Sequence, residues 1–482
     1  MVSDLKEAFT VTEHRINKVH FIGIGGVGMS GIAHVAHHKG MTVSGSDLRE
    51  SRYTRQLADE GITVFIGQSA DNIAAVDPDV VVVSTAILDT NPELVEVRRR
   101  GIPVWHRAKM LAQLGRGLKT LAVAGTHGKT TTSSMLASTL DTLGYDPTFL
   151  IGGIVRAYGS NAHCGRGEYY VVEADESDKS FTYLDPTSVL VTNVEADHLD
   201  HYSDLNEIYS LFYDFMSSVH EDGCCVVCGD DAALVDVARK TGRRVITYGF
   251  SEGCDTVVSN YAVHGISTSF DVKLPDGTLL NCSIKQNPGT HNALNAAGVL
   301  TLLQYQGVDP ARAAHALAGF TGVRRRFDLV DEVDGITILD DYAHHPTEIA
   351  ATIAAARSLD FKRVCVAFQP HRYSRIGLFT HVLKDEFSRA FDQADLVVFM
   401  DVYPAGETPV PGVNGASFMK PVLDHPGHPK DLTYVERRME VVPYLVSRLE
   451  PGDLVITMGA GDVTAIGPEL AAALRDRAEG RS

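Results

Sequence analysis

The chain has 482 residues, of which 44% are hydrophobic and 22% are charged, a composition typical of a globular protein with roughly two to four domains. Its 43 basic and 61 acidic residues give a net charge of −18, which argues against nonspecific binding to nucleic acid. The cysteines number seven, and this odd, scattered set indicates a reducing compartment and no disulfide framework.

The N-terminal residues and the apolar stretches give no indication of export or membrane insertion. Residues 1–18 are polar and mixed in charge, without the apolar core of a secretory signal. No apolar stretch is long enough to span a bilayer. We therefore expect a cytoplasmic protein with neither a membrane partner nor a nucleic-acid partner.

The first block of alternating strands and helices opens with a glycine-rich turn. Residues 23–28 fit the pattern G-x-G-x-x-G after an apolar strand, and Asp47 ends another strand about 20 residues farther on. This spacing is typical of a dinucleotide site, in which the acid binds a ribose hydroxyl. Any nucleotide diphosphate fits the same loop, and a tight turn without a ligand is a further alternative.

A second glycine loop, residues 125–130, carries the clearest indication of chemistry. It follows an apolar run and precedes a helical segment, and it is shorter than a standard Walker A loop. Such a turn directs backbone N–H groups and a helix N-terminus toward a bound phosphate. We expect Lys129 to reach the outer phosphates and the hydroxyl of Thr130 to bind Mg²⁺. An ordinary glycine turn would leave this order of lysine and hydroxyls unexplained.

Carboxylates follow two later strands of the second block. Residues 173–178 end one predicted strand, and residues 193–201 follow the next. Because the carboxyl ends of parallel strands meet at one edge of a sheet, we expect Glu173 and His198 to lie near Lys129. Carboxylate oxygens suit Mg²⁺, whereas imidazole is an unusual ligand for it. The sequence therefore predicts a metal–nucleotide site in which Glu173 is the stronger candidate.

The remainder of the second block predicts a buried strand and an antiparallel extension. Cys225 and Cys228 form a C-x-x-C pattern, but they lie in an apolar run that reads as a buried strand rather than as a metal or redox site. Residues 255–285 alternate between polar and apolar, and Asp276-Gly277 is a hairpin signal. A small antiparallel extension of the central sheet follows from this pattern.

Two asparagines begin an alanine-rich helix near residue 291. Asn292 and Asn295 are three residues apart, so both face the same side of a helix. Their amide groups suit the donor and acceptor edge of adenine. Capping of the helix by Asn292 is the alternative interpretation.

The third block places charged and imidazole groups after its strands. Residues 324–326 are three arginines, which form either a solvated boundary or an anion clamp. Residues 340–346 and 371–375 gather acids, histidines and arginines at strand ends, which is typical of an active edge. Arg372 and Arg375 are candidates for an acidic or amino-acid substrate, because arginine pairs with carboxylates in two hydrogen bonds.

These blocks predict an α/β protein of three domains. Residues 1–115 form a Rossmann-like N-terminal domain, and residues 116–322 form a central P-loop-type ATPase domain with a mainly parallel sheet and a small antiparallel extension. Residues 323–482 form a Rossmann-like C-terminal domain.

In their order along nearly the whole chain, the motifs resemble those of the Mur ligases, the ATP-dependent enzymes that form amide bonds in peptidoglycan synthesis. The segments that carry the resemblance are residues 20–31, 125–132, 173–178, 192–200, 291–295, 325–328, 340–348 and 371–375. The resemblance implies ATP-dependent ligation of L-alanine to the lactyl carboxylate of UDP-N-acetylmuramate through an acyl phosphate. It implies ATP and two Mg²⁺ ions as cofactors, and a monomer or weak homodimer.

The resemblance also implies a role for each motif. The residues expected at ATP are Gly125, Thr126, His127, Gly128, Lys129, Thr130, Thr131, Asn292, Asn295, Arg326 and Asp341. Those expected at the UDP substrate are Gly23, Gly25, Gly26, Gly28, Asp47 and Ser84. Those expected at the amino acid are His344, Arg372 and Arg375, and those expected at the metal ions are Thr130, Glu173 and His198. The expected catalytic residues are Lys129, His344, Arg326 and Asp341.

Three alternatives stay open on the sequence alone. A ligase of the same family that adds a tripeptide shares the second glycine loop. An NAD-dependent oxidoreductase would use the first glycine loop and leave Lys129, Glu173 and His198 without a role. A noncatalytic nucleotide-binding switch would bind ATP without substrate-stimulated release of phosphate.

Overall fold

A computed structural model of the protein describes residues 16–176, 180–196, 202 and 204–480. The chain forms two compact units. The smaller unit comprises Met1–Lys119, Pro147–Gly152 and Asn161–Tyr170, and the larger comprises Thr120–Asp146, Gly153–Ser160 and Val171–Ser482. The three predicted domain ranges stay a prediction.

The strands of the described residues are numbered in chain order. They are β1 Lys18–Ile22, β2 Thr42–Asp47, β3 Thr63–Ile66, β4 Val80–Val83, β5 Val104–His106, β6 Lys119–Ala124, β7 Thr148–Val155, β8 Ser160–His163, β9 Tyr169–Glu173, β10 Ser188–Val191, β11 Cys225–Cys228, β12 Val245–Gly249, β13 Thr256–His264, β14 Ser267–Lys273, β15 Leu279–Ile284, β16 Asp328–Val333, β17 Ile336–Asp341, β18 Arg363–Phe368, β19 Leu396–Met400, β20 Asp431–Val435 and β21 Asp453–Met458.

The α-helices are numbered in the same way. They are α1 Val27–His38, α2 Arg52–Asp59, α3 Ala70–Val76, α4 Pro92–Arg100, α5 Arg107–Leu114, α6 Lys129–Thr142, α7 Leu205–Ser217, α8 Ala232–Lys240, α9 Thr290–Tyr305, α10 Pro310–Leu317, α11 Pro346–Arg357, α12 Lys384–Arg389, α13 Gly415–Leu423, α14 Arg438–Arg448 and α15 Ile466–Ala478. None of these described helices is both long and apolar enough to cross a membrane.

The smaller unit contains a five-stranded parallel sheet in the order β3-β2-β1-β4-β5. The strands at its centre are short apolar runs that are buried along most of their length. Burial on both faces is the pattern expected for a parallel sheet covered by helices. The strand order reverses at β1, so the loop after β1 lies at a switch point, where ligands bind in folds of this type.

The central sheet has ten strands in the order β15-β14-β13-β12-β11-β10-β6-β9-β7-β8. Strands β6, β10, β11, β12 and β13 pair in parallel with their neighbours in this series, whereas β14 and β15 pair antiparallel. The predicted antiparallel extension is therefore confirmed. The strand predicted around Cys225 and Cys228 is also confirmed, because all four residues of β11 are buried. Burial raises the pKa of the Cys225 thiol to about 12, so this thiol is unreactive at neutral pH.

The third sheet has six strands in the order β16-β17-β21-β18-β19-β20. Only β16 runs antiparallel to its neighbour among these strands. Two buried apolar clusters cover its two faces. The predicted α/β class, with a mainly parallel central sheet that follows a parallel sheet and precedes a mainly parallel one along the chain, is confirmed.

Candidate functional site

The first glycine loop joins β1 to α1 in the smaller unit. The Gly25 N–H donates a hydrogen bond of 2.9 Å to Asp47 Oδ2 at the end of β2. A Cβ on Gly25 would lie 2.9 Å from the same oxygen, so only glycine fits this contact without a shift. Asp47 therefore helps to hold the first glycine loop in shape, and its expected role at the UDP substrate stays a prediction. Gly23 and Gly26 belong to the same turn, Gly28 lies in the first turn of α1, and Ser84 follows the adjacent strand β4.

The second glycine loop joins β6 to α6 in the larger unit. Gly125 has a φ of +131°, and a Cβ there would overlap the hydroxyl of Thr192. Residues that follow the neighbouring strand β10 form hydrogen bonds with the backbone of this loop. The His127 N–H donates to Asn193 Oδ1 over 2.9 Å, and the Thr126 N–H donates to the Asn193 carbonyl over 3.0 Å. Thr192 and Asn193 are therefore supporting residues that the sequence analysis did not assign to the site.

Lys129 is the first residue of α6, and its ammonium group lies inside the loop. It donates hydrogen bonds to the carbonyl oxygens of Gly125 and Thr126 over 2.6 and 3.1 Å. It also forms a 2.8 Å ion pair with Glu176, a buried carboxylate. Burial lowers the pKa of Lys129, but the neighbouring carboxylates, led by Glu176, raise it above its usual value. Lys129 is therefore a fixed positive charge at the loop.

Thr130 and Glu173 meet at the start of α6. The Thr130 hydroxyl donates a 3.0 Å hydrogen bond to Glu173 Oε1 at the end of β9. Hydroxyl and carboxylate oxygens are the hard donors that Mg²⁺ prefers, so this pair fits the predicted ligand type. The third predicted ligand, His198, lies outside the described residues.

A cavity of about 150 Å³ opens beside the second glycine loop. The predicted site residues that line it are His127, Gly128, Thr131, Asn292, Asn295, Arg326 and Asp341. They come from the loop and the start of α6, from the start of α9, from the segment before β16 and from the end of β17. Residues from segments far apart in the sequence thus line one cavity.

The asparagines of α9 form one wall of this cavity. Asn292 donates to the carbonyl oxygen of Asn287 over 3.1 Å, and Asn295 donates to Asn292 Oδ1 over 3.3 Å. The residue at the N-cap of α9 is Gly289, so the alternative of a capping role for Asn292 is wrong. His291 lies beside them, and burial, followed by the charge of Arg326, lowers its pKa to about 4. A neutral His291 therefore adds an uncharged ring to this wall.

Arg326 and Asp341 form the opposite wall. Asp341 accepts backbone hydrogen bonds from Phe327 over 2.7 Å and from Ala343 over 2.8 Å. Burial raises its pKa to about 6, although Arg326 and these N–H groups oppose the shift. Arg326 lies 3.4 Å from Glu348 Oε1. The carboxylate of Asp341 thus positions the backbone before Phe327 as well as facing the cavity.

The three consecutive arginines have different positions. Arg325 turns away from the cavity and binds Asp340 over 3.1 Å and the Gly459 carbonyl oxygen over 2.7 Å. Arg324 is exposed. Arg326 alone of the three lines the cavity. The structure therefore distinguishes three arginines that the sequence pattern leaves equivalent.

His127 lies between two carboxylates that the sequence analysis did not assign to the site. Its Nε2 is 3.5 Å from Glu195 Oε2, and its Nδ1 is 3.4 Å from Glu348 Oε1. Burial lowers the pKa of His127, but its bonds and charge interactions with Glu195 and Glu348 raise it to about 9. The Thr347 hydroxyl also donates to Glu195 over 2.6 Å. The charged imidazole of His127 thus links the second glycine loop, called the phosphate loop below, to the start of α11.

The residues predicted for the amino acid follow β17 and β18. His344 Nδ1 lies 3.0 Å from the Tyr342 carbonyl oxygen, and its ring centroid is 6.0 Å from that of His371. Burial, followed by the charges of Arg375 and Arg372, lowers the pKa of His371 to about 4. His344, Arg372 and Arg375 are not among the described residues that line the cavity. Arg372 and Arg375 therefore form a cationic group outside the cavity, near His371 and His344.

Comparison with known proteins connects these sites to one family. Three family models match the chain: Mur ligase family, catalytic domain, at residues 18–118; Mur ligase middle domain, at residues 123–303; and Mur ligase, glutamate ligase domain, at residues 325–461. Together they cover most of the chain and include both glycine loops and both walls of the cavity.

Individual relatives match over nearly the full length. A UDP-N-acetylmuramate–L-alanine ligase of Myxococcus xanthus is 45% identical over 458 residues, which are 95% of this chain and 95% of that protein. The crystal structure of a UDP-N-acetylmuramate-alanine ligase from Thermotoga maritima has a TM-score of 0.78 and 29% identity, and the match covers 95% of this chain and 99% of that one.

A more distant solved structure shares the fold. The MurF ligase of Thermotoga maritima, solved in complex with ADP, has a TM-score of 0.62 and 18% identity, and the match covers 90% of this chain and 95% of that one. The resemblance predicted from the motifs is confirmed by the family models and by the identity to the Myxococcus protein. The chain belongs to the Mur ligase family of ATP-dependent, ADP-forming amide ligases.

Proposed function

We propose that the protein joins L-alanine to the lactyl carboxylate of UDP-N-acetylmuramate and converts ATP to ADP and phosphate. The observation that carries this proposal is the cavity in which His127, Asn295 and Arg326 meet beside the phosphate loop. The name of the Myxococcus relative, 45% identical along nearly the whole chain, supports the choice of substrates.

In this proposal ATP lies along the second glycine loop and in the cavity. The N–H groups at the start of α6 and the ammonium group of Lys129 face the phosphates. Asn292 and Asn295 bind the adenine edge, since amides offer both a donor and an acceptor. Gly125, Thr126, Gly128 and Thr131 shape the loop closely around the phosphates.

The contact between Thr130 and Glu173 supports a metal site for Mg²⁺. Both oxygens are hard donors at the start of α6, close to where the phosphates would lie. We assign Thr130 and Glu173 as ligands, with His198 as a third candidate. When bound, Mg²⁺ neutralises charge on the transferring phosphoryl group.

The reaction has two steps that balance without a further reactant. A carboxylate oxygen of the muramoyl group attacks the γ-phosphorus of ATP, which gives an acyl phosphate and releases ADP. The amine of L-alanine then attacks the acyl carbon, loses a proton and expels phosphate. Lys129 and Arg326 stabilise the negative charge in the first step, since phosphoryl transfer depends mainly on positioning and charge neutralisation. Asp341 holds the backbone beside Arg326, and thereby positions it.

The other two substrates are assigned to the remaining glycine loop and to the cationic group. The UDP diphosphate binds the loop of Gly23, Gly25, Gly26 and Gly28, close to Asp47 and Ser84. The carboxylate of L-alanine pairs with Arg372 or Arg375, because guanidinium groups match carboxylates in geometry. His344 lies beside them and is the candidate base for the alanine ammonium group.

An acceptor panel tests the proposed reaction. Phosphate release is measured with ATP, Mg²⁺ and UDP-N-acetylmuramate, and with L-alanine, glycine, L-serine or the alanyl-D-glutamyl-diaminopimelate tripeptide as acceptor. We expect release only when all four components are present and L-alanine is the acceptor. Equal release with the tripeptide and none with L-alanine would move the assignment to the tripeptide-adding ligase.

Two further readouts address the other classes of protein. A change in nicotinamide absorbance on turnover would favour the oxidoreductase, and ATP binding without stimulated phosphate release would favour the switch protein.

We propose that the enzyme works in the cytoplasm as a monomer or weak homodimer, and sedimentation of the purified chain tests its oligomeric state.

A further inference from the structure

Two histidines and a glutamate form a cluster at the C-terminal end of α1. His34 and His38 lie four residues apart, one helical turn, so their side chains share one face. Glu60 is the residue that follows α2. All three belong to the smaller unit, at the end of α1 opposite to the first glycine loop.

The ligand atoms of the three side chains converge. His34 Nδ1 lies 2.7 Å from Glu60 Oε2, and His38 Nε2 lies 3.6 Å from the same oxygen. The two imidazole centroids are 4.4 Å apart. The three donor atoms all lie within 4.8 Å of one another. In a tetrahedral site with ligand bonds of about 2.0–2.2 Å, donor atoms are about 3.3 Å apart, so small side-chain movements suffice.

The backbone around the cluster also favours a cation. α1 ends at His38 and α2 ends at Asp59, so two helix C-termini lie at the cluster. The C-terminal end of a helix carries partial negative charge, which stabilises a nearby positive ion. This contribution is independent of the three side chains.

We propose that His34, His38 and Glu60 form a binding site for a divalent transition-metal ion of the zinc type. Two imidazole nitrogens and one carboxylate oxygen are a ligand set that Zn²⁺ takes in proteins, whereas Mg²⁺ prefers oxygen ligands alone. The site is separate from the nucleotide cavity, and it stands whether or not the proposed reaction is correct.

The exposure of the cluster indicates an exchangeable ion. The side chains of His34, His38 and Glu60 are 23%, 46% and 21% exposed, so solvent reaches the site. Three protein ligands leave a fourth position for water, unlike the closed four-ligand sites that hold structural zinc. We therefore expect rapid loading and removal of the ion by chelators.

The test is a zinc titration of the tag-free chain, read by competition with a chromophoric chelator. Because His127, Glu195 and His345 form a second metal-compatible group in the larger unit, the decisive quantity is the difference between variants. We expect His34→Ala combined with His38→Ala to bind one equivalent fewer than the wild type. Glu60→Gln, which preserves side-chain shape, should weaken the site at least tenfold.

His37 provides the matched control, since it lies in the same turn of α1 but outside the cluster. His37→Ala should retain the wild-type stoichiometry and an affinity within twofold. Far-UV circular dichroism verifies that each variant is folded, and Glu60→Gln serves if a histidine variant is not. Equal zinc binding by the wild type and by a folded Glu60→Gln variant would overturn the proposal, as would a wild type that binds no more zinc than the double variant.

Discussion

The imidazole of His127 lies 3.4 Å from the carboxylate of Glu348, which joins the phosphate loop to the first turn of α11. Glu195 flanks the other ring nitrogen at 3.5 Å. The segments that carry His127 and Glu348 are more than 200 residues apart in the chain and both line the nucleotide cavity. The charge of His127 therefore helps to hold these two parts of the cavity wall together.

The stability provided by His127 should depend on pH in a defined window. Its pKa is about 9 in the folded chain and about 6.5 in an unfolded one, so its stabilising effect is complete below about pH 6.5 and is lost as the pH rises through 9. We expect the difference in Tm between the wild type and His127→Gln to shrink from pH 6.5 to pH 9.5. A difference that stays constant across this range would contradict the charged state of His127.

The sequence identified the loops and strand ends of this site, because apolar strands followed by glycine turns are a local pattern. It did not identify Glu195 and Glu348 as partners of His127. Both lie in segments recognised as part of the family pattern, but their approach to His127 depends on the packing of two sheets. The run of three arginines did not by itself distinguish Arg326 from its neighbours, and only the family resemblance selected Arg326. In the structure Arg325 has a φ of +62°, a left-handed backbone conformation that the run does not indicate.

Lys129→Ala should abolish product formation, because it removes the fixed charge at the phosphate loop. It also leaves Glu176 buried without its ion-pair partner, which should cost about 1–3 kcal/mol of unfolding free energy. The double variant Lys129→Ala with Glu176→Gln should recover most of that stability and none of the activity. Denaturant unfolding and phosphate release measure the two effects separately. Recovery of activity in the double variant would show that Lys129 acts only through the fold.

Nucleotide binding should draw a proton from solution near neutral pH. Burial raises the pKa of Glu176 to about 7, even though Lys129 lowers it, and phosphate charges beside it would raise it further. At pH 7 we expect the wild type to take up as much as about 0.5 proton more than Glu176→Gln on binding ADP. Isothermal titration calorimetry of ADP binding in buffers of different ionisation enthalpy measures this proton uptake. Identical uptake in both proteins would place the titrating group elsewhere.

Arg326 and Arg324 form a matched pair for mutation. Arg326→Ala should reduce kcat at least a hundredfold, because it removes charge stabilisation from phosphoryl transfer. Arg324 is exposed, so Arg324→Ala should leave kcat within about twofold. Steady-state kinetics with saturating ATP provides the comparison. Equal losses of kcat in both variants would contradict a specific role for Arg326 at the cavity.

The most direct test of ligation through an acyl phosphate uses UDP-N-acetylmuramate labelled with ¹⁸O in its lactyl carboxylate. Incubated with ATP, Mg²⁺ and L-alanine, the protein should yield the alanyl amide and inorganic phosphate carrying one ¹⁸O atom, because the carboxylate oxygen that attacks the γ-phosphorus leaves with the phosphate. Mass spectrometry reads both products in one reaction. Unlabelled phosphate, or phosphate release without the alanyl amide, would contradict the proposed ligation through an acyl phosphate.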